Sequence, residues 1–304
     1  MKMKVFAQDF IPVVPYMTDV VTIGIGQRTD VLVTATGCST DAIWMRSDVS
    51  PPCSVSSQGH ARAAIYYEKA DTSVLPNSTA TVYDDSFCGN VPLSMTTPLY
   101  PMSPPAEPET TITLDITFAA NATGNKLWFV NNMTFRADFE HPILLLENQG
   151  QGNTSYVQSP ERMTYNVGSN SSVRIILNNH SLTNRSQHPI HFHGHDFWIV
   201  AEGVGKWDGV ANFDNPMRRD THILQPGRPG QGPGYMVMDF VTDNPGVWPL
   251  HCHLAWHVSA GLYVNILERP DEIAKLSIPD VASKSCREWT LYKRPLEPVI
   301  DSGV

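Results

Sequence analysis

The sequence predicts an all-β protein made of packed sheets, with short helices near the C-terminus. Its 24 prolines and 20 glycines, together with many threonines, valines and serines, favour short strands joined by turns. Strand-like stretches recur between these turns, and that spacing is typical of a β-sandwich or β-barrel. An apolar content of 41% and a charged content of 17% are typical of a folded chain, and 304 residues suffice for two domains.

Three regions follow one another along the chain. Residues 1–87 contain strand patterns at "KMKVFAQDF", "VVTIGIGQRTDVLVTA", "AIWMRSDV" and "ARAAIYYEKA". Residues 88–109 are rich in proline and lack periodicity, so we predict an interdomain linker. Residues 110–304 resume the strand pattern, from "TTITLDITFAA" to "GLYVNILERP", and we predict helices around "PDEIAKL" and "PDVASKSCREWTLYK".

Charge and short motifs limit the environment of the protein. A net charge of −9 supplies no basic face for nucleic acid, and no apolar run is long enough to span a membrane. Seven N-x-S/T sequons predict a glycosylated surface and hence a secreted, extracellular protein. The N-terminus, "MKMKVFAQDFIPVV", lacks the features of a signal peptide, so we expect that the chain begins partway through a domain. The sequons begin at Asn77, Asn121, Asn132, Asn153, Asn170, Asn179 and Asn184.

Two histidine-rich motifs, "HPIHFHGHDF" from His188 and "HCHLAWH" from His251, indicate metal binding. Successive side chains of a strand point to opposite faces, so each His-x-His pair shares one face. The pairs are His191 with His193 and His251 with His253. Four converging imidazoles suit a cluster of copper ions or, less specifically, a zinc or iron site.

The thiol of Cys252 points to the other face, where it can meet His188 and His257. Ligation by two histidines and one cysteine is the signature of a blue-copper electron-transfer centre. Cys252 therefore lies between two predicted metal sites, with a cluster ligand on either side in the chain. Core histidines and a buried cysteine are the alternative interpretation.

With these motifs, the chain resembles the multicopper oxidases, and among them the laccases of filamentous fungi. "HPIHFHGHDF" and "WPLHCHLAWHVSAGL" resemble the third and fourth copper-binding signatures of that family, and "RRDTHIL" and "TDNPGVW" resemble its third domain. Asp301–Val304 resembles the C-terminal plug of ascomycete laccases. The resemblance implies cupredoxin-like Greek-key β-sandwiches, one partial and one complete. Residues 1–87 would be the C-terminal part of the second domain, and residues 110–304 would be the third domain.

The resemblance also implies a role for each motif residue. His257 and Cys252 would carry the electron transfer. Leu262 falls at the axial position of the type 1 site, where it cannot coordinate, so the reduction potential should be higher than with methionine. His195 is not a ligand in the family, and we treat it as structural. The implied copper ligands are His188, Cys252 and His257 for type 1, His191 for type 2, and His193, His251 and His253 for type 3.

The reaction implied is one-electron oxidation of a phenol or aromatic amine at the type 1 copper, coupled to reduction of dioxygen to water at the cluster. We expect the substrate near the edge of His257, with Trp256 and Phe139 as aromatic walls. Asp220 and Asp243 lie in family-like motifs, but "DNPG" is first of all a turn, and we interpret both carboxylates as structural.

The resemblance implies eight cluster histidines, of which this sequence supplies four. The remaining histidines form no further His-x-His pair, apart from one that overlaps the motif already used. We therefore expect that the first cupredoxin domain is absent and that the isolated chain is incomplete for dioxygen reduction. Uncovered faces and unpaired strand edges should also make it poorly soluble. These remaining histidines are His60, His141, His180, His195 and His222.

Five cysteines leave at least one thiol outside any internal disulfide, and disulfides fit an oxidising compartment. The resemblance implies a bond between Cys53 and Cys88, and a bond from Cys286 to the first domain. Cys38 has no implied partner.

Two alternatives remain open. The chain could be a single-copper electron-transfer or binding module without oxidase activity. It could instead be an oxidase of another substrate, such as ferrous iron or ascorbate. The sequence around His257, "LAWHVSAG", has no acidic residue for iron, and an ascorbate oxidase would carry methionine in place of Leu262.

Overall fold

A computed structural model describes residues 2–54, 56–86, 88–153, 159–183 and 186–293. Strands dominate these residues and the helices are short, so the predicted all-β class is confirmed. The sequon at Asn184 and the predicted plug Asp301–Val304 lie outside the described residues, and the sequon at Asn153 does so in part.

The elements are named in chain order. The first strands are β1 (Met3–Gln8), β2 (Ile11–Thr18), β3 (Thr29–Val33), β4 (Ala42–Asp48) and β5 (His60–Tyr66). They are followed by β6 (Thr110–Ala120), β7 (Lys126–Val130), β8 (Thr164–Gly168), β9 (Ser172–Asn179), β10 (His188–Phe192) and β11 (Phe197–Val204). The last strands are β12 (Arg218–Arg219), β13 (Thr221–Leu224), β14 (Gly234–Val241), β15 (Gly246–Cys252) and β16 (Tyr263–Glu268). The helices are α1 (Ile143–Asn148), α2 (Ala255–Ser259), α3 (Pro270–Ile273) and α4 (Asp280–Lys293).

Two sheets of the C-terminal region pack face to face. One has the strand order β13-β10-β15-β16-β8 and the other has the order β12-β11-β14-β9-β6-β7. Phe192 of the first sheet and Phe240 of the second are fully buried, with ring centroids 4.8 Å apart. Alternating inward side chains of both sheets therefore form one sandwich core.

The N-terminal region contributes a three-stranded sheet, β2-β1-β3, and a hairpin of β4 with β5. Val5 and Val13 of this three-stranded sheet are buried in the same hydrophobic cluster as the core residues of the sandwich. The long strand predicted at "VVTIGIGQRTDVLVTA" is wrong in its first half, because residues 21–28 form a loop before β3. Gly26 takes a φ of +87° in that loop, a conformation that interrupts an extended strand.

The irregular segment 88–109 begins at a disulfide between Cys53 and Cys88, which the resemblance implied and the structure confirms. The segment packs on both regions, through a bridge from Pro98 to Val13 and a hydrogen bond from Trp198 Nε1 to the carbonyl oxygen of Met102. None of the described helices is long and apolar enough to cross a membrane.

The exposure of one sequon asparagine and of the apolar side chains can be read directly from the structure. Asn179 is fully buried and its amide donates to the carbonyl oxygens of Ser186 and Gln225, so this sequon does not present its asparagine at the surface. Large apolar side chains are exposed in the N-terminal region. They include Phe10, Met17, Leu32, Met45 and Ile65.

Candidate metal centre

Neighbouring strands β10 and β15 bring the two histidine motifs together. They pair antiparallel, with His191 opposite His251 and Ile190 opposite Cys252. His193 and His253 lie one residue beyond the strand ends. Their amide groups continue the pairing, since His193 N–H donates to Pro249 and His253 N–H donates to Pro189. The alternation of side chains that the sequence predicted therefore extends past both strands.

The predicted type 1 ligands converge on one side of this strand pair. The Nδ1 atoms of His188 and His257 lie 3.2 Å apart, and the Sγ atom of Cys252 lies 3.4 Å from His257 Nδ1. His188 is carried by β10, Cys252 by the end of β15, and His257 by α2. All three possible ligand atoms lie within 4.8 Å of one another.

Burial controls the protonation of these groups. It lowers the pKa of His188 to about 3, with a further contribution from His257, and lowers the pKa of His257 to about 4. Burial also raises the pKa of the Cys252 thiol to about 12. The histidines are therefore neutral at pH 7, as metal binding requires, whereas the thiolate needs a nearby cation to form.

The arrangement fits a metal ion. Nitrogen and sulfur atoms bound to one ion at about 2.0–2.3 Å lie about 3–4 Å from each other, close to the separations found here. Two imidazole nitrogens and one thiolate are the ligands of blue-copper centres. The residues could therefore hold a copper ion, with Leu262, buried near Cys252, supplying no ligand atom.

Four imidazoles gather on the opposite side of the strand pair. The Nε2 atoms of His193 and His251 lie 2.9 Å apart. The ring of His191 lies 4.7 Å from that of His193 and 5.4 Å from that of His253, centroid to centroid. The structure therefore brings together the four histidines predicted to bind the type 2 and type 3 coppers.

Hydrogen bonds fix the orientation of two of these rings. His191 Nδ1 lies 2.8 Å from the carbonyl oxygen of Asp220, and His251 Nδ1 lies 2.8 Å from that of Cys252. A carbonyl oxygen only accepts, so each Nδ1 carries a proton, and the metal-binding lone pair of either ring is the one on Nε2. Burial lowers the pKa of His251 to about 4 and also lowers that of His193. The rings of His251 and His193 are therefore neutral at pH 7 and have a nitrogen that can bind metal.

Trp128 of β7 contacts both predicted type 1 histidines, which the sequence did not indicate. Its ring lies 4.4 Å from His188, edge to face, and 5.0 Å from His257. Its backbone N–H donates to Ala260, in the turn after α2. A tryptophan in a strand pattern looks like any core residue, so only the packing reveals this contact.

The two predicted substrate walls differ in their surroundings. Trp256 is 83% exposed beside His257, which suits a surface contact. Phe139 is partly exposed and packs edge to face on Trp289 of α4, with ring centroids 5.3 Å apart.

His195 and Asp220, both interpreted as structural, brace the cluster histidines. His195 Nδ1 donates to the carbonyl oxygen of His193, and its Nε2 lies 2.9 Å from a carboxylate oxygen of Glu268. The two carboxylate oxygens of Asp220 accept hydrogen bonds from the two terminal nitrogens of Arg28. Although burial alone would raise the pKa of Asp220, the hydrogen bonds from Arg28 and Thr221 bring it below its usual value.

The side chains of Asp243, His195 and Glu268 lie close together, with their possible ligand atoms within 4.8 Å of one another. Asn244, the next residue, donates its backbone N–H to Glu268 at 2.7 Å. The "DNPG" turn therefore holds one oxygen of the carboxylate that faces His195.

The stability of the metal-free protein should fall in acid because His188 is buried in its neutral form. Its pKa is about 6.5 when unfolded and about 3 when folded, so below pH 6.5 the unfolded chain binds a proton that the folded chain does not. The free energy of unfolding should then decrease by up to about 1.4 kcal/mol per pH unit for this proton. Urea unfolding between pH 7.5 and 5 measures the slope.

Two variants separate His188 from the other groups that titrate in this range. His188→Gln should reduce the slope, whereas His60→Gln, at an exposed histidine of β5, should leave it unchanged. An equal slope in His188→Gln and the unmodified protein would contradict the prediction.

Comparison with known proteins agrees with this geometry. Family models described as multicopper oxidase match residues 1–70 and 114–272. The oxidoreductase OpS5 of Beauveria bassiana is 34% identical over 99% of this chain and 51% of its own length. Laccase-1 of Botryotinia fuckeliana is 33% identical over 99% of this chain and 52% of its own length. The chain therefore spans about half the length of these relatives.

A solved structure gives the same result. The crystal structure of the laccase from Botrytis aclada superimposes with a TM-score of 0.83 at 28% identity, covering 100% of this chain and 54% of that one. The match confirms the predicted cupredoxin-like fold class.

Proposed function

The chain belongs to the multicopper oxidase family, as its motifs predicted, and on this premise we propose that it is the electron-accepting part of a laccase-type oxidase. The proposed substrates are phenols or aromatic amines, oxidised one electron at a time, with dioxygen as the final acceptor. Bound copper would accept electrons at the type 1 site and reduce dioxygen to water at the cluster.

The convergence of His188, Cys252 and His257 carries this proposal. All three proposed type 1 ligands come from this chain, where β10, β15 and α2 carry them. His188 is buried and His257 is half-buried, both are neutral, and the thiol lies in the sandwich core. A dry pocket of this kind favours a metal ion whose charge is balanced by the thiolate.

Cys252 is also the proposed link between the two sites. Single peptide bonds join it to His251 and His253, whose rings lie on the opposite side of the strand pair. The chain therefore supplies a short covalent path from the proposed type 1 ligands to the proposed cluster ligands. Exposed Trp256 would meet aromatic substrates beside His257, and Leu262 would keep the potential higher than methionine would.

The cluster is the part that we propose to be shared. His191, His193, His251 and His253 would supply four of its eight ligands, and a first cupredoxin domain would supply the others. We propose an extracellular setting for the whole enzyme, in keeping with the disulfide between Cys53 and Cys88.

The alternative function is single-copper electron transfer without oxygen chemistry. An asymmetry between the two proposed sites favours it: His188, Cys252 and His257 converge in this chain, whereas the sequence has four of the eight histidines expected for the cluster. For the polypeptide 1–304 taken alone, the two functions predict the same behaviour.

Copper content, optical absorption and oxygen uptake on one sample of 1–304 test the proposal. We expect one copper per chain with the blue thiolate charge-transfer band, in addition to any colourless copper held by the four cluster histidines, and no oxygen uptake with a simple phenol. Copper binding without that band would contradict the type 1 assignment. Oxygen uptake with turnover would contradict the proposal that the cluster is shared with another domain.

A further inference from the structure

The loop between β2 and β3 reaches the cluster histidines from the N-terminal region. Gly26 lies against the ring of His253, and a β-carbon built on Gly26 would be 2.6 Å from His253 Cδ2 and 2.7 Å from Cγ. Real β-carbons do not approach other atoms so closely. A side chain at this position would therefore require the imidazole or the loop to move.

This loop is fixed on the sandwich by polar contacts at its other residues. Gln27 is buried, and its amide donates to the carbonyl oxygen of Thr221 and to Asn90. The carbonyl oxygen of its side chain accepts the backbone N–H of Gly24 at 2.8 Å. Movement of the loop would break these buried hydrogen bonds, so the imidazole of His253 is the part that yields more easily.

Arg28 connects the same loop to a second cluster histidine. Its Nη1 atom donates to the carbonyl oxygen of Gly26 at 2.8 Å and to Asp220 Oδ1 at 2.7 Å. The backbone carbonyl oxygen of Asp220 accepts the Nδ1 proton of His191. One guanidinium group therefore couples the peptide that faces His253 to the residue that orients His191.

We propose that the loop Gly24–Arg28 is the positioning element of the oxygen-reducing half-site, with Gly26 setting the ring of His253 and Arg28 setting His191 through Asp220. His253 is solvent-exposed on its other side, so the contact with Gly26 restrains a ring that the sandwich core does not enclose. The functional meaning of this inference rests on the proposed role of the four histidines, whereas the positioning itself can be measured without metal.

The test uses the metal-free chain labelled with ¹⁵N-histidine. Long-range ¹H–¹⁵N spectra report the ring environment of each histidine, and His253→Gln and His191→Gln assign the two signals. Gly26→Ala should shift the His253 signal and leave those of His188 and His257 in place. Gly124→Ala is the matched control, since Gly124 has the same φ of +87° and nothing within 4 Å of its built β-carbon.

A second measurement concerns metal affinity in a Cys252→Ser background, where copper can bind only outside the type 1 site. Gly26→Ala should weaken copper binding at the four histidines about 10- to 100-fold, the range known for residues that orient metal ligands, and Gly124→Ala should not. A Cys252→Ser protein that binds no copper at all would contradict the proposed cluster role, while the histidine spectra would still decide the positioning.

Arg28→Lys keeps the inference testable if Gly26→Ala does not fold. Lysine retains the charge but not the two-pronged contact with Asp220, so the His191 signal should shift. Arg62→Lys, at an exposed arginine of β5, is its control. Unchanged His253 and His191 signals in the Gly26→Ala and Arg28→Lys proteins, or equal shifts in the two controls, would overturn the inference.

Discussion

Replacement of Cys252 by serine is expected to abolish the blue absorption band of the copper-loaded chain completely. The band requires a thiolate bound to copper, and a serine hydroxyl in this buried position does not ionise to replace it. Copper affinity at the type 1 site should fall at least about 100-fold, since changes to residues that merely orient a ligand already reach that range. Copper titration followed by absorption and electron paramagnetic resonance measures both effects.

The chain offers matched controls for this substitution. Cys38 and Cys286 are the other free thiols among the described residues, and Cys38 is exposed. Cys38→Ser and Cys286→Ser should keep the full band, with the same copper content as the unmodified chain. A band that survives in Cys252→Ser, or that disappears in either control, would show that another cysteine binds the copper.

Much of the metal centre follows from the sequence because its determinants are local. The strand period of two places His191 and His251 on one face and Cys252 on the other, and the pairing of β10 with β15 preserves that alternation. The spacing within "HCHLAWH" then requires only one short turn to return His257 to the cysteine. The fold class follows in the same way from turn residues and alternating apolar positions.

The residues that support the centre could not be found in this way. Arg28 and Asp220 are separated by 192 positions, and neither lies in a periodic pattern from which their hydrogen bond could be predicted. Gly26 looked like a glycine within a strand, and its importance lies in what is packed against it. Such contacts depend on how two sheets are placed in space, which local propensity does not encode.

Short helices were missed for a related reason. Helix α1 follows Pro142 with the run "ILLLEN", which is apolar enough to be a strand and too short to show a helical period. Helix α2 lies inside the ligand motif, where the five residues "AWHVS" serve to turn His257 inward. In both places the local sequence favours helix and extended strand about equally, and tertiary packing determines which of the two forms.

The buried ion pair between Asp9 and Arg219 should carry the largest stability effect among single substitutions of charged residues. Arg219 Nε and Nη2 donate to the two carboxylate oxygens of Asp9 at 2.8 and 2.9 Å, and both side chains are almost fully buried. Asp9→Asn leaves the guanidinium without its anion, so the free energy of unfolding should fall by about 3–5 kcal/mol. Asparagine also tolerates the positive φ of this position, so backbone strain does not contribute.

Urea unfolding of the metal-free chain, compared at the transition midpoint, measures this loss. Glu288→Gln breaks the exposed pair between Lys284 and Glu288 in α4 and should change stability by at most about 1 kcal/mol. The double variant Asp9→Asn with Arg219→Gln removes both charges, so it should lose less than the sum of the two single variants. Additive losses would mean that the two residues act independently. The ion pair would then not be the contact that holds the N-terminal sheet on the metal-binding sandwich.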